Sequence, residues 1–162
     1  MHVFDLDIEI TKMLEVDLLS VVGIERNSYD YPWNENIFRD CLLSGYTCVV
    51  AKKSDLIVGY AILSSALNEA HILNFCIDKG YRNLGFGHQL LDYLINQSKV
   101  NGTEKIFLEV RPSNIKAIAL YIKKGFEKIA KRPSYYRHIN GREDADVYLL
   151  YTSKIGYLDI QY

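Results

Sequence analysis

Cysteine is scarce in this sequence. Cys41, Cys48 and Cys76 stand far apart, with no Cys-x-x-Cys pair and no histidine at metal-ligand spacing, which points away from a disulfide framework and a zinc site. A reducing cytoplasm is the expected compartment, and no metal is expected. Positive charge is not in excess either. With 19 Lys and Arg against 20 Asp and Glu, the formal charge is −1, whereas a protein that neutralises a nucleic-acid backbone carries a basic surplus. No apolar run approaches the roughly 20 residues needed to span a bilayer. Residues 1 to 12 alternate acidic and apolar side chains, unlike the basic start and apolar core of a secretory signal. Repeats, linkers and low-complexity stretches are also missing. The expectation is one soluble domain over residues 1 to 162, monomeric or weakly associating, with no nucleic-acid or membrane partner.

Two more absences narrow the reading of the glycine-rich stretch Arg82-Asn83-Leu84-Gly85-Phe86-Gly87. There is no Gly-Lys-Ser/Thr at the following helix start, so it is not a P-loop. It also lacks the third glycine of a dinucleotide fingerprint. What is present is an apolar run, His71 to Ile77, then this loop, then a helical pattern from His88 with Leu90, Leu91, Leu94 and Ile95 on one face. A strand that feeds a glycine loop at a helix start forms an anion cradle, because the first-turn N–H groups lack intrahelical partners and the helix dipole is positive there. An ordinary loop with two glycines is the competing reading.

The remaining chain alternates strand and helix signals. Residues 3 to 12 read as an edge strand and residues 16 to 28 as an amphipathic helix carrying Leu18, Leu19, Val22 and Ile24. Tyr31-Pro32-Trp33 lies in an aromatic loop. Asn34 then caps a second helix that turns Ile37, Phe38, Cys41 and Leu42 inward. Residues 48 to 63 read as a hairpin about Lys53-Ser54-Asp55, and residues 69 to 77 as a third strand. Residues 106 to 110 form the next strand, parallel to the previous one because a helix separates them, and splayed from it. Pro112-Ser113-Asn114 leads into a helix over residues 115 to 124, with Ile118, Tyr121 and Ile122 in register and Gly125 as its stop. The last two strands flank Asn140-Gly141, a strong hairpin signal. Residues 154 to 162 show no periodicity. The fold class is α+β: a central mixed, mostly antiparallel sheet with one splayed parallel pair and helices on both faces.

Glu109, in Ile106-Phe107-Leu108-Glu109-Val110-Arg111, shares a strand face with Phe107 and Arg111 by the period of two. A carboxylate there is costly unless paired or solvated. It reads either as a structural pair with Arg111 or as a general base at the floor of a cleft, placed to take a proton from an amine. Tyr121 is packing by its spacing alone; its phenol, ordinarily near pKa ~10, is also a chemically reasonable proton donor to a thiolate whose parent thiol lies near ~8.5.

The loop pattern Arg82-x-x-Gly85-x-Gly87 resembles the acyl-CoA pyrophosphate loop of the GNAT superfamily of N-acetyltransferases. The block from Phe107 to Asn114, continuing through Tyr121 to Lys124-Gly125-Phe126, resembles the bacterial ribosomal-protein-alanine N-acetyltransferases within it. So do Tyr31-Pro32-Trp33 with Phe38, the strand Ile72-Leu73-Asn74, and Tyr135-Tyr136 followed by Gly141-Arg142-Glu143-Asp144-Ala145. The resemblance spans roughly residues 20 to 150. It implies the GNAT fold and acetyl-CoA as cofactor, held by Phe75, Ile77, Arg82, Asn83, Leu84, Gly85, Phe86, Gly87, Asn114 and Tyr121. It implies Glu109 as general base and Tyr121 as general acid, with a backbone N–H near Asn74 and Phe75 polarising the carbonyl. Tyr31, Asn74, Tyr135 and Tyr136 would line a groove for a protein N-terminus, the implied acceptor being the N-terminal alanine of small ribosomal subunit protein eighteen. An α-amine, near pKa ~8 against ~10.4 for lysine, suits a modest base. Asn83-Leu84 departs from the basic residues many relatives carry there. Acetylation of lysine or a small amine, and a silent acyl-CoA-binding module, stand as alternatives.

Overall fold

The computed structural model describes residues 7–153; residues 3 to 6 of the expected first strand, and the tail from 154, lie outside them. Among the described residues the strands are β1 (Glu9–Lys12), β2 (Thr47–Lys53), β3 (Leu56–Ala66), β4 (Glu69–Ile77), β5 (Lys105–Val110), β6 (Glu127–His138) and β7 (Gly141–Tyr151). They form one sheet in the order β1-β2-β3-β4-β5-β7-β6. All neighbours are antiparallel except β4 and β5. The helices are α1 (Leu18–Ser28), α2 (Glu35–Leu43), α3 (Phe86–Val100) and α4 (Ile115–Lys123). None is long and apolar enough to cross a membrane.

Each sheet face carries its own apolar core. On one, Leu90, Leu91 and Leu94 of α3 and Tyr121 of α4 pack over Ile106 and Leu108. On the other, Leu18, Val21 and Val22 of α1 and Phe38 of α2 pack over Tyr60 and Ile62. Phe38 meets Tyr60 edge-on at 5.5 Å, a favoured aromatic geometry. Helical phase corrects three expectations. Leu18, Val21, Val22 and Glu25 make the buried stripe of α1, so Leu19 points outward, 80% exposed. Ile37 and Ile122 fall at stripe edges and are exposed too.

Local chemistry places the helix starts. Asn34 Oδ1 accepts from Ile37 N at 3.0 Å, and Asn114 Oδ1 from Ala117 N at 3.3 Å. α3 begins at Phe86, earlier than its apolar spacing indicated, because Gly85 adopts the left-handed conformation (φ +85°) that starts the helix within the glycine stretch.

β4 and β5 are joined only from Glu69↔Lys105 to Ile72↔Leu108. Beyond that point β4 runs on to Ile77 and β5 to Val110 without pairing, which is the expected splay. β3 holds the free end of β4 closely. A Cβ on Gly59 would lie 2.6 Å from Ile77 Cδ1 and 2.8 Å from the Cys76 carbonyl oxygen. Gly59→Ala is therefore expected to destabilise the protein by about 1–3 kcal/mol, seen as a lower urea midpoint.

Candidate active site

The splay opens a cleft of about 1360 Å³, larger than the ~300–1,000 Å³ of most small-ligand pockets. Its walls come from the α1–α2 loop, the parting strands, the glycine loop, α4 and the β6–β7 hairpin. Of the residues predicted for the site, Tyr31, Asn74, Phe75, Ile77, Arg82, Asn83, Gly85, Gly87, Glu109, Asn114, Tyr121, Tyr135 and Tyr136 all line it. Leu84 and Phe86 do not. Leu84 is 44% exposed, while Phe86 is buried in the core under α3, so Phe86 could reach a ligand only through its backbone.

Arg82 turns back on its own strand. Its Nε donates to the Ile77 carbonyl at 2.9 Å, tying the loop to the end of β4. Gly87 sits where a Cβ would lie 3.4 Å from Leu120 Cδ2, so glycine allows α3 and α4 to approach. The Phe75 carbonyl accepts from Tyr29 O–H at 3.0 Å. In a strand the N–H and C=O of one residue point to the same edge, so this bond identifies that edge of Phe75 as facing the cleft.

Glu109 is held tightly. Its side chain is only 6% exposed, with Oε2 against His71 Nε2 and Oε1 at 3.2 Å from Arg132 Nε. Burial pushes its carboxyl up, but the hydrogen bond and charge of His71 and the charge of Arg132 outweigh burial and hold it below the usual carboxylate range. The alternative pairing with Arg111 does not form. Arg111 Nη1 instead binds Glu143 at 3.0 Å, and Glu143 also accepts from Ser113 N at 3.2 Å. Tyr121 lies in the apolar core beside Phe75, ring centroids 6.2 Å apart. Burial pushes its phenol well above the ordinary value, so the hydroxyl stays protonated.

The hairpin supplies the outer wall. Tyr135 and Tyr136 pack edge to face at 4.9 Å, and Arg111 caps Tyr136 with its guanidinium carbon 4.4 Å from the ring centre. Asp144 Oδ1 accepts from Ser134 N at 2.8 Å and steadies the kink at Ser134 (φ +52°) that precedes the tyrosine pair. The acidic pair Glu143-Asp144 thus pins the β5–α4 loop with one residue and the tyrosine-bearing strand with the other. On the opposite wall, Glu25 is 2% exposed and accepts from Tyr60 O–H, Asn74 Nδ2 (3.0 Å) and Trp33 N (3.0 Å). Sequence reasoning named neither His71, Arg132 nor Glu25. A carboxylate on the apolar stripe of α1 was the one available signal. Among the described residues no group of three or more His, Cys, Asp or Glu is placed to hold a metal ion.

Comparison with known proteins gives a consistent result. The sequence profile of the Acetyltransferase (GNAT) family matches residues 12–126. The chain is 33% identical over 141 residues to the [ribosomal protein bS18]-alanine N-acetyltransferase of Escherichia coli K12, covering 87% of this chain and 95% of that protein. Its Haemophilus influenzae counterpart is 34% identical over 143 residues, covering 88% and 97%. The crystal structure of the ribosomal-protein-S18-alanine N-acetyltransferase from E. coli superposes with a TM-score of 0.86 at 32% identity, covering 94% of this chain and 99% of that one.

Proposed function

Because this chain belongs to the GNAT family of acetyltransferases, we propose that it transfers acetyl from acetyl-CoA to a protein's N-terminal α-amine, with the alanine that begins ribosomal protein bS18 as its acceptor. Acetyl-CoA, when bound, supplies an acetyl thioester already activated toward amines. The residues present fit such a cofactor. The cleft is roomy, it includes Gly85 and Gly87 where first-turn N–H groups follow a left-handed glycine, and Phe75, Ile77 and Tyr121 give it apolar walls.

The observation that carries the acceptor reading is the open groove on the far side of Glu109. There Tyr31 from the α1–α2 loop and the Tyr135-Tyr136 pair from the β6–β7 hairpin line the cleft, and Tyr31 and Tyr135 are each 45% exposed. A groove of this kind takes a chain of several residues, where a small amine would call for a closed pocket. Glu109, on the cleft floor, takes the proton from the incoming amine. The Phe75 N–H donates toward the carbonyl oxygen as negative charge develops there. Tyr121, kept protonated by burial, offers its O–H to the departing sulfur. Tyr121→Phe removes that donor with little change of shape. It is expected to lower kcat at least about tenfold while leaving the KM for the acceptor peptide nearly unchanged, by steady-state thiol release.

The test is a mass-spectrometric assay with acetyl-CoA on two peptides: the bS18 N-terminal sequence, and the same sequence blocked at its α-amine but carrying a free lysine. Acetylation of the first alone is the expected result. Modification of the lysine peptide alone, or of neither, overturns the reading.

A further inference from the structure

Glu109 has partners on both flanks. His71 comes from β4 and Arg132 from β6. Neither lines the cleft, and both are more open to solvent than the carboxylate they hold, His71 at 33% and Arg132 at 55% side-chain exposure. Glu109 therefore lines the cleft while its two basic partners are open to water. A guanidinium keeps its charge at every working pH, so Arg132 contributes a constant. An imidazole changes charge between about pH 5 and 8, so His71 contributes a variable.

The other groups around His71 add no competing switch. Opposite it, Ser64 on β3 and Phe107 on β5 carry no charge. Glu69, one step back on the same strand face, pairs with Lys105 of β5 at 4.0 Å. Tyr136 of β6 feels the charge of Glu109 but is itself pushed up by burial and stays neutral.

Taking Glu109 to be the base, as proposed above, we propose that His71 is the positioning residue that decides when this base can act. Charged, it leaves the carboxylate clamped between two cations and reluctant to accept a proton. Neutral, it still orients Oε2 by an N–H bond but releases the electrostatic hold, so acetyl transfer switches off as the medium acidifies through the imidazole range.

His71→Gln keeps an N–H donor and removes the charge. Two measurements on the full chain test the idea. In protein labelled with ¹³C at the glutamate δ-carbon, without acceptor or cofactor, the Glu109 carboxyl is assigned by its loss in Glu109→Gln and titrated. Its midpoint is expected to rise toward the ordinary carboxylate range in His71→Gln. With one peptide acceptor throughout, the ratio of kcat for His71→Gln over wild type is expected to grow about tenfold between pH 7.5 and 5.5. An unmoved Glu109 titration, or a ratio flat with pH, overturns the proposal. His71→Asn serves the same two measurements if the glutamine variant fails to fold by circular dichroism. Failure of the underlying reading shows separately: if wild type acetylates no α-amine the acceptor is wrong, and if Glu109→Gln keeps full turnover Glu109 is not the base, whatever its titration does.

Discussion

Replacing Glu109 with glutamine is expected to lower kcat about 10²–10⁴-fold, the range a positioned general base contributes, with little change in acetyl-CoA affinity. Gln matches Glu in length and shape, and its single amide oxygen can still accept from Arg132 while its NH₂ faces His71, but it has no carboxylate to take the amine's proton. The fold should survive at the pH of assay. The Glu109 carboxyl is held below its ordinary range, so its pairing stabilises the protein above the ordinary carboxylate value. That contribution is lost only as the pH falls through the lowered one. Glu109→Gln forfeits it at neutral pH, a modest loss for one paired carboxylate beside a half-exposed arginine. Steady-state rates beside a calorimetric melt separate the two effects. A variant that melts near wild type and turns over normally would remove Glu109 from the chemistry.

Glu25→Ala is expected to cost about 2–4 kcal/mol of stability, since a buried donor left without its acceptor costs about 1–3 kcal/mol. Its carboxylate is 2% exposed, and no cation among the described residues pairs with it. Three donors are aimed at it from three elements: Tyr60 O–H on β3, Asn74 Nδ2 on β4 and Trp33 N in the α1–α2 loop. Alanine would strand all three, and Tyr60 is itself fully buried, so its hydroxyl has no water to turn to. Glu25→Gln should fall between, since an amide oxygen can satisfy two donors while its NH₂ opposes the third. Urea unfolding measures the loss. A destabilisation under about 1 kcal/mol would mean that water replaces the carboxylate. The same bonds tether the wall carrying Tyr31, so the milder variant is also expected to raise the acceptor KM more than the KM for acetyl-CoA.

Much of this arrangement was legible in the sequence wherever its cause was local. Asn34 and Asn114 cap helices with their own side chains, and the periods of α3 and β5 define their buried faces. The splayed parallel pair followed from a helix separating two strands. What was not legible depends on register between distant segments. That His71 reaches Glu109 requires knowing that His71 stands opposite Phe107, and parallel pairing carries no turn to announce its register. Arg132 reaches the same carboxylate only because β6 shifts register before the tyrosines. The alternative Glu109–Arg111 pair is absent for a related reason: the hairpin brings Glu143 to Arg111. Phe86 was mistaken for a loop residue because a helix that starts on a left-handed glycine buries its first side chain at once.

The brevity of the β4–β5 ladder also bears on how the chain assembles. Strands β2, β3 and β4 follow one another through tight turns, so each pair can close as soon as its second strand has left the ribosome. β5 comes only after all of α3, and closing that larger loop is slower. For that interval the growing chain presents the outer edge of β4 unpaired, an invitation to any other extended segment nearby. Four residues of β4 are then covered by β5 and the rest stay open for good, so the enzyme's cleft is the part of a nascent edge that folding never closes.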